Sequence, residues 1–213
     1  LNRAAVGWLG LVAIVAARCS HRPSPEVLRP IERPERFTCC NLRYDATGAI
    51  SDANYWWGTT LPAGTPVRIE RLTDDAVTFS AEEVTLTLTH EHGTKEESFQ
   101  QYLDKVLVSD DPRVRIARYP RSVRRAISSA KVERGMTRDQ VLRSLGYPPT
   151  DETPSLEDRE WKYWWNSSYS YTVVFNAAGK VAEVVGRPAP TAELPIRNAD
   201  RPPSTKPPKR RGR

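Results

Sequence analysis

Between Gly135 and Gly186 the spacing of hydrophobic positions changes from helical to alternating. Val141, Leu142 and Leu145 recur at helical intervals on one face, while Arg138, Asp139 and Arg143 fall towards water. Thr137 and Gln140 have the spacing of a capping box, and Met136 and Val141 that of a hydrophobic staple, so a helix starts at this point. Gly146 can close it, and Pro148 and Pro149 prevent it from resuming. Beyond a polar loop the period becomes two. Trp161, Tyr163 and Trp165 share one face of a strand, and Tyr169, Tyr171, Val173 and Phe175 one face of the next. Asn176 to Lys180 has the composition of a hairpin loop, and Val181 to Val185 supplies the return strand. The pattern predicts a helix, a loop and a three-stranded antiparallel meander, preceded by a second helix near Arg121 to Lys131 with Val123, Ala126, Ile127 and Ala130 as its apolar stripe.

Upstream, turn signals at Asp45 to Gly48 and Pro62 to Pro66 separate strand signals at Val67 to Leu72, Val77 to Ser80 and Val84 to His90. In the last of these, Val84, Leu86 and Leu88 point one way and Thr85, Thr87 and Thr89 the other, as in a sheet wetted on one side. Lys95 to Val108 has a helical stripe of Phe99, Leu103 and Val106. The fold class expected is α+β, with a small β-rich domain over 37–118 and a helix-pair-plus-meander domain over 119–187.

The order GMT, T-x-x-Q, VLxxLG-x-P, W-x-Y, an aromatic strand ending in Phe175 and an N-x-x-G-K turn resembles the BamE (SmpA/OmlA) family of small outer-membrane lipoproteins, whose fold is similar to a repeat of the β-lactamase inhibitor protein. The resemblance covers roughly a third of the chain and lies in residues that determine architecture more than activity. It implies an accessory protein of outer-membrane assembly or integrity that binds other envelope proteins. The segment NYWWGTTLPAGTPVRI resembles the start of SH3-like bacterial envelope modules, which implies a barrel of that type for the β-rich half.

The N-terminus fits an exported protein. Ala4 to Ala17 is uncharged, follows Arg3 and is too short to span a bilayer comfortably, which makes residues 1–19 a signal peptide. Ala16-Ala17-Arg18-Cys19 resembles a degenerate lipobox in which Arg18 stands where a small residue is usual. Lipidation of Cys19 would give an outer-membrane anchor facing the periplasm of a Gram-negative cell. Cleavage after Ala17 would give a soluble periplasmic protein. Residues 20–36 read as a proline-rich, charged tether.

Charge is distributed unevenly. Of the net +6, all comes from the tail: Arg201 to Arg213 holds six bases and no acid, within a disordered basic segment expected over 188–213. Asp74 to Lys105 carries net −6 and Arg113 to Arg143 net +8. Arg118, Arg121 and Arg125, with Lys209, Arg210 and Arg211 of the tail, are candidate contacts for anionic lipid or cell-wall polymer, the alternative for the helix arginines being pairing with the acidic stretch. Export removes nucleic acid as the partner of a basic chain.

Little chemistry is visible. Cys39 and Cys40 are adjacent and cannot bridge to each other without strain, so a buried thiol pair is expected. His90 and His92 share a strand face with no third ligand at hand and read as polar residues of a hairpin end. No nucleophile with a base, metal cluster or phosphate loop is recognisable, so neither catalytic residues nor a cofactor are expected and the chain reads as a non-enzyme. The candidate partner-binding residues are the aromatics of the meander: Trp161, Tyr163, Trp164, Trp165, Tyr169 and Tyr171, with Trp164 exposed if Trp161 and Trp165 are core. Two further readings are an inhibitor of an envelope enzyme and a peptidoglycan-binding module in the SH3-like half.

Overall fold

The structure, a computed structural model, describes residues 36–186. The predicted signal peptide, Cys19, the tether and the basic tail with Lys209, Arg210 and Arg211 lie outside the described residues. Within them the chain is mixed α+β. Short strands come first: β1 (Arg36–Thr38), β2 (Leu42–Tyr44), β3 (Ala49–Ser51) and β4 (Thr59–Leu61). The longer β5 (Pro66–Leu72), β6 (Ala76–Ala81) and β7 (Val84–Thr89) follow, close to the predicted strands. After helix α1 (Phe99–Val106) the chain runs straight into β8 (Leu107–Val108). Three helices, α2 (Arg113–Ile116), α3 (Arg121–Ser128) and α4 (Arg138–Leu145), lead to the meander β9 (Glu160–Asn166), β10 (Tyr169–Phe175) and β11 (Val181–Val185).

The first sheet is curled and ordered β3-β7-β6-β5-β1-β8, with β2 and β4 paired separately. Alternation drives it. Val77 and Phe79 of β6 are buried and face Leu88 and Leu86 of β7, while Thr78 and Thr87 meet on the other face with their hydroxyls 3.2 Å apart. β3 joins the outer edge of β7 in parallel, Ile50 opposite Leu88, which requires the long connection that lies between them.

Helix α1 starts later than Lys95 because Ser98 and Gln101 form a capping box there, while Glu96 and Glu97 turn back onto the Gly93 carbonyl. It stops before Val108 because Leu107 becomes extended and pairs with Thr38 of β1. α4 begins as its sequence predicts. Thr137 and Gln140 cap each other, Met136 and Val141 are both buried in one cluster, and Gly146 leaves the helix at φ +83, a conformation that favours glycine. α3 ends at Ser128 rather than Lys131 because Ala130 takes φ +48.

Two hydrophobic clusters result. One lies inside the curled sheet under α1 and includes Leu42, Ile50, Phe79, Leu88 and Val106; the other fills the space between α3, α4 and the meander around Trp161 and Phe175. Asn41 joins them. Its amide donates to the carbonyls of Ile127 (2.7 Å) and Ser144 (3.1 Å), and its Oδ1 accepts the Ala63 N–H (2.9 Å). Arg143 adds a bond to the Cys39 carbonyl at 2.7 Å. Cys39 and Cys40 correct the expectation of free thiols: they are joined in a disulfide between neighbours. The bend that ends β1 turns both side chains into the same cluster, which brings the sulfurs together.

Candidate docking surface

The meander divides its aromatic residues between core and surface. Trp161 is 0% exposed and meets Phe175 edge-on at 4.7 Å. Tyr163 stacks on Tyr171 at 5.7 Å, and its hydroxyl donates to the Gly146 carbonyl at 3.1 Å. Burial pushes the Tyr163 phenol well above its ordinary pKa, with Tyr171 adding to the effect. These three buried residues, Trp161, Tyr163 and Tyr171, are therefore corrections to the predicted contact set: alternation along β9 and β10 turns them onto the helix pair, where no partner reaches them. Trp164 lies on the opposite sheet face but is only partly exposed, its indole N–H enclosed: the Lys162 ammonium lies 4.9 Å over its ring, and Lys162 in turn pairs with Glu152 at 2.8 Å. Trp165 is partly buried, and Tyr169 is 50% exposed where a register shift opens β10.

Three consecutive aromatics of the β-rich half, Tyr55, Trp56 and Trp57, stand close by, the middle one against Trp165. Trp56 stacks on Trp165 at 5.0 Å and carries the Arg43 guanidinium 4.5 Å above it. Burial pulls the Arg43 pKa below its ordinary value. Trp57, 50% exposed, lies nearly parallel to Tyr55 at 6.3 Å, and His92 meets Tyr55 edge-on. The run Tyr55-Trp56-Trp57 was the available signal.

The loop that presents these rings is held at both ends. Asn54, at φ +44, donates to the carbonyls of Asn41 and Leu145 and accepts the Arg43 N–H. Gly58, at φ +98, passes so close to the Tyr44 carbonyl that a Cβ would lie 2.5 Å from it.

The arginines form a separate surface. Residues 113–125 contain six arginines and no acid, and all six are exposed, with Val114 among them at 62%. Arg113 pairs with Asp111 and Arg115 with Asp139. Among the described residues Arg118, Arg121 and Arg125 form no ion pair, so the pairing with the acidic stretch considered above is not seen for them. Tyr119 anchors this segment to α4 by donating to Asp139; burial first, then that bond, push its phenol up to about 12.

The two histidines part company. His90 is buried between Asp52 and the Glu97 carbonyl, whereas His92 is only partly covered. Beside Glu97 a cleft of about 220 Å³ opens between the start of α1 and the loop after Gly146, lined by Glu96, Glu97, Gln101, Lys105, Tyr147 and Pro154 among others. Lys105 reaches into it, 2.7 Å from Glu97 and 4.8 Å over the Tyr147 ring. No helix among the described residues is long and apolar enough to cross a membrane. Comparison with protein-family models, curated proteins and solved structures finds no match to this chain.

Proposed function

We propose that this chain is a non-catalytic accessory or scaffold protein of the Gram-negative cell envelope, held at the outer membrane or free in the periplasm, that binds a partner protein through the surface made by Tyr55, Trp56, Trp57, Trp165 and Tyr169. The observation that carries it is the half exposure of Trp57 and Tyr169 on supports that are themselves stacked and hydrogen-bonded. Large aromatics presented on a rigid base lose little entropy on binding and supply most of the energy at protein interfaces. The BamE-type resemblance agrees with two short helices followed by an antiparallel meander, and with the capping box and staple at α4. On that reading the partner is a component of outer-membrane assembly.

A photo-crosslinking side chain at position 57 or 169 in intact cells is expected to capture one envelope protein, identified by mass spectrometry, far above the yield at exposed Thr94. Trp57→Ala in the purified pair is expected to weaken binding at least tenfold, the loss of an interface anchor. Equal yields at all three positions would remove the surface from consideration.

A second contact rests on the unpaired arginines. Arg118, Arg121 and Arg125, with Lys209, Arg210 and Arg211, fit an anionic phospholipid surface or cell-wall polymer. Each base near such a surface adds about 1 kcal/mol, so replacing the three helix arginines by glutamine is expected to lower affinity for phosphatidylglycerol vesicles about a hundredfold. Unchanged vesicle binding by that triple variant would exclude the helix arginines from the role.

A further inference from the structure

His90 sits where both ring nitrogens face oxygens that can accept. Nε2 lies 3.0 Å from the Glu97 carbonyl oxygen, and Nδ1 lies 2.8 Å from Asp52 Oδ2. A carbonyl only accepts, so the first contact needs a hydrogen on Nε2. A neutral imidazole has one N–H: with that hydrogen on Nε2 the lone pair of Nδ1 confronts a carboxylate, and with it on Nδ1, where the charged carboxylate is the stronger acceptor, the lone pair of Nε2 confronts the Glu97 carbonyl. One more proton, on Nδ1, turns both contacts into hydrogen bonds, and Asp52 Oδ2, which already accepts two backbone N–H groups, stays an acceptor. Water offers little substitute, since the two side chains are 4% and 3% exposed. With that proton the pair is neutral overall; without it a net negative charge is buried, which an enclosed site disfavours.

We propose that the His90–Asp52 pair stores one buried proton that latches the segment Glu91–Glu97 against the end of β7, and that loss of this proton releases Glu97 and loosens the wall of the neighbouring cleft.

The surroundings fit a latch. Asp52 comes from the connection after β3, and its Oδ2 also accepts the N–H groups of Glu91 and His92, both at 2.8 Å, so one carboxylate oxygen gathers the whole corner. From α1, Tyr102 stacks flat on the imidazole at 5.0 Å and Phe99 lies at 6.3 Å. Burial, then the charges of Asp52 and Glu97, push the Tyr102 phenol well above its ordinary value, so it stays neutral beside the pair. Tyr55 feels the same two-sided influence more weakly, from burial first and then from Asp52 and Glu91. The Glu97 carboxylate is turned away to Lys105 at 2.7 Å. Releasing the Glu97 carbonyl would free the residue that stands immediately before the Ser98 cap of α1 and lines the cleft, while the other wall, through Thr150, is bonded to Gly93 of the same segment at 3.3 Å.

The test reads the imidazole directly in the intact, ¹⁵N-labelled chain by nuclear magnetic resonance. With the latch closed both ring nitrogens are expected at protonated positions. As pH is raised while the fold persists, one proton should leave, and the amide signals of Glu91, His92, Ser98 and Gln101 should move on the same curve. Hydrogen exchange at the Glu97 and Ser98 amides, corrected for the intrinsic rate, should become at least tenfold faster. A ring with a single proton at every pH at which the chain is folded overturns the proposal, as does a proton loss that those amides do not follow. A ring that keeps both protons until the chain unfolds overturns the release. His90→Phe keeps the stacking on Tyr102 and should abolish the pH-linked amide shifts; their persistence in that variant also overturns the proposal. If the variant does not fold, the wild-type titration decides alone.

Discussion

Asn41→Ala is expected to cost about 3–5 kcal/mol, because it strands several buried backbone groups at once. The carbonyls of Ile127 and Ser144 and the N–H of Ala63 all bond to the Asn41 side chain, which is itself buried. No methyl group replaces any of these bonds. The measurement is a urea titration: the midpoint should fall while both halves continue to unfold in one transition, since Arg143 and Asn54 still cross the seam. Asn41→Asp separates polarity from bonding. It keeps an acceptor for Ala63 but turns a carboxylate oxygen towards two carbonyls, so it should destabilise at least as much as alanine. A loss below about 1 kcal/mol for both variants would mean that Asn41 is not what joins the two clusters.

Trp161→Ala is expected to have a similar effect, about 3–5 kcal/mol, for a different reason. The indole is completely enclosed and touches Phe175 edge-on, within the cluster that also holds Met136, Val141 and Val173. Removing it leaves a cavity that a short sheet backed by two eight-residue helices cannot collapse to fill. Trp161→Phe is the informative control. The indole Nε1 is buried without a hydrogen-bond partner among the described residues, so the smaller ring loses volume but also removes an unsatisfied donor. Its cost should stay below about 1.5 kcal/mol. Thermal denaturation followed by near-ultraviolet circular dichroism reports both variants, and an alanine variant as stable as phenylalanine would show that the enclosure is not load-sensitive.

Trp161 and Asn41 differ in how much of their surroundings is written in the neighbouring sequence. Trp161 lies in a segment whose information is local. Alternation of large residues sets the faces of β9 and β10, and a cap three residues from its partner sets the start of α4. Even there the contact residues are not legible, because period two separates faces but does not say which face a neighbouring helix covers. Asn41 has no local signature. Its partners lie up to 103 residues away, and the Trp56–Trp165 stack likewise joins rings from opposite halves of the chain. Strands of three residues such as β1 to β4 are too short to show a period, and the parallel pairing of β3 with β7 skips three intervening strands. The α1 boundary was legible in Ser98 and Gln101 but was obscured by the helix-compatible Lys95 to Glu97 before it. Nothing local marks His90 as buried: a histidine at a strand end looks solvated until Asp52, thirty-eight positions earlier, is brought beneath it.

The seam has a temporal corollary. Asn54 needs the Leu145 carbonyl, Asn41 needs Ser144, and the Cys39 carbonyl needs Arg143, so the first half is left with unmet polar groups for as long as the second has not arrived. A nascent chain that has delivered only β1 to β7 therefore lacks the bonds that would finish it. Completion waits for α4, so the last polar groups of the curled sheet are met only once the helices that follow it have formed.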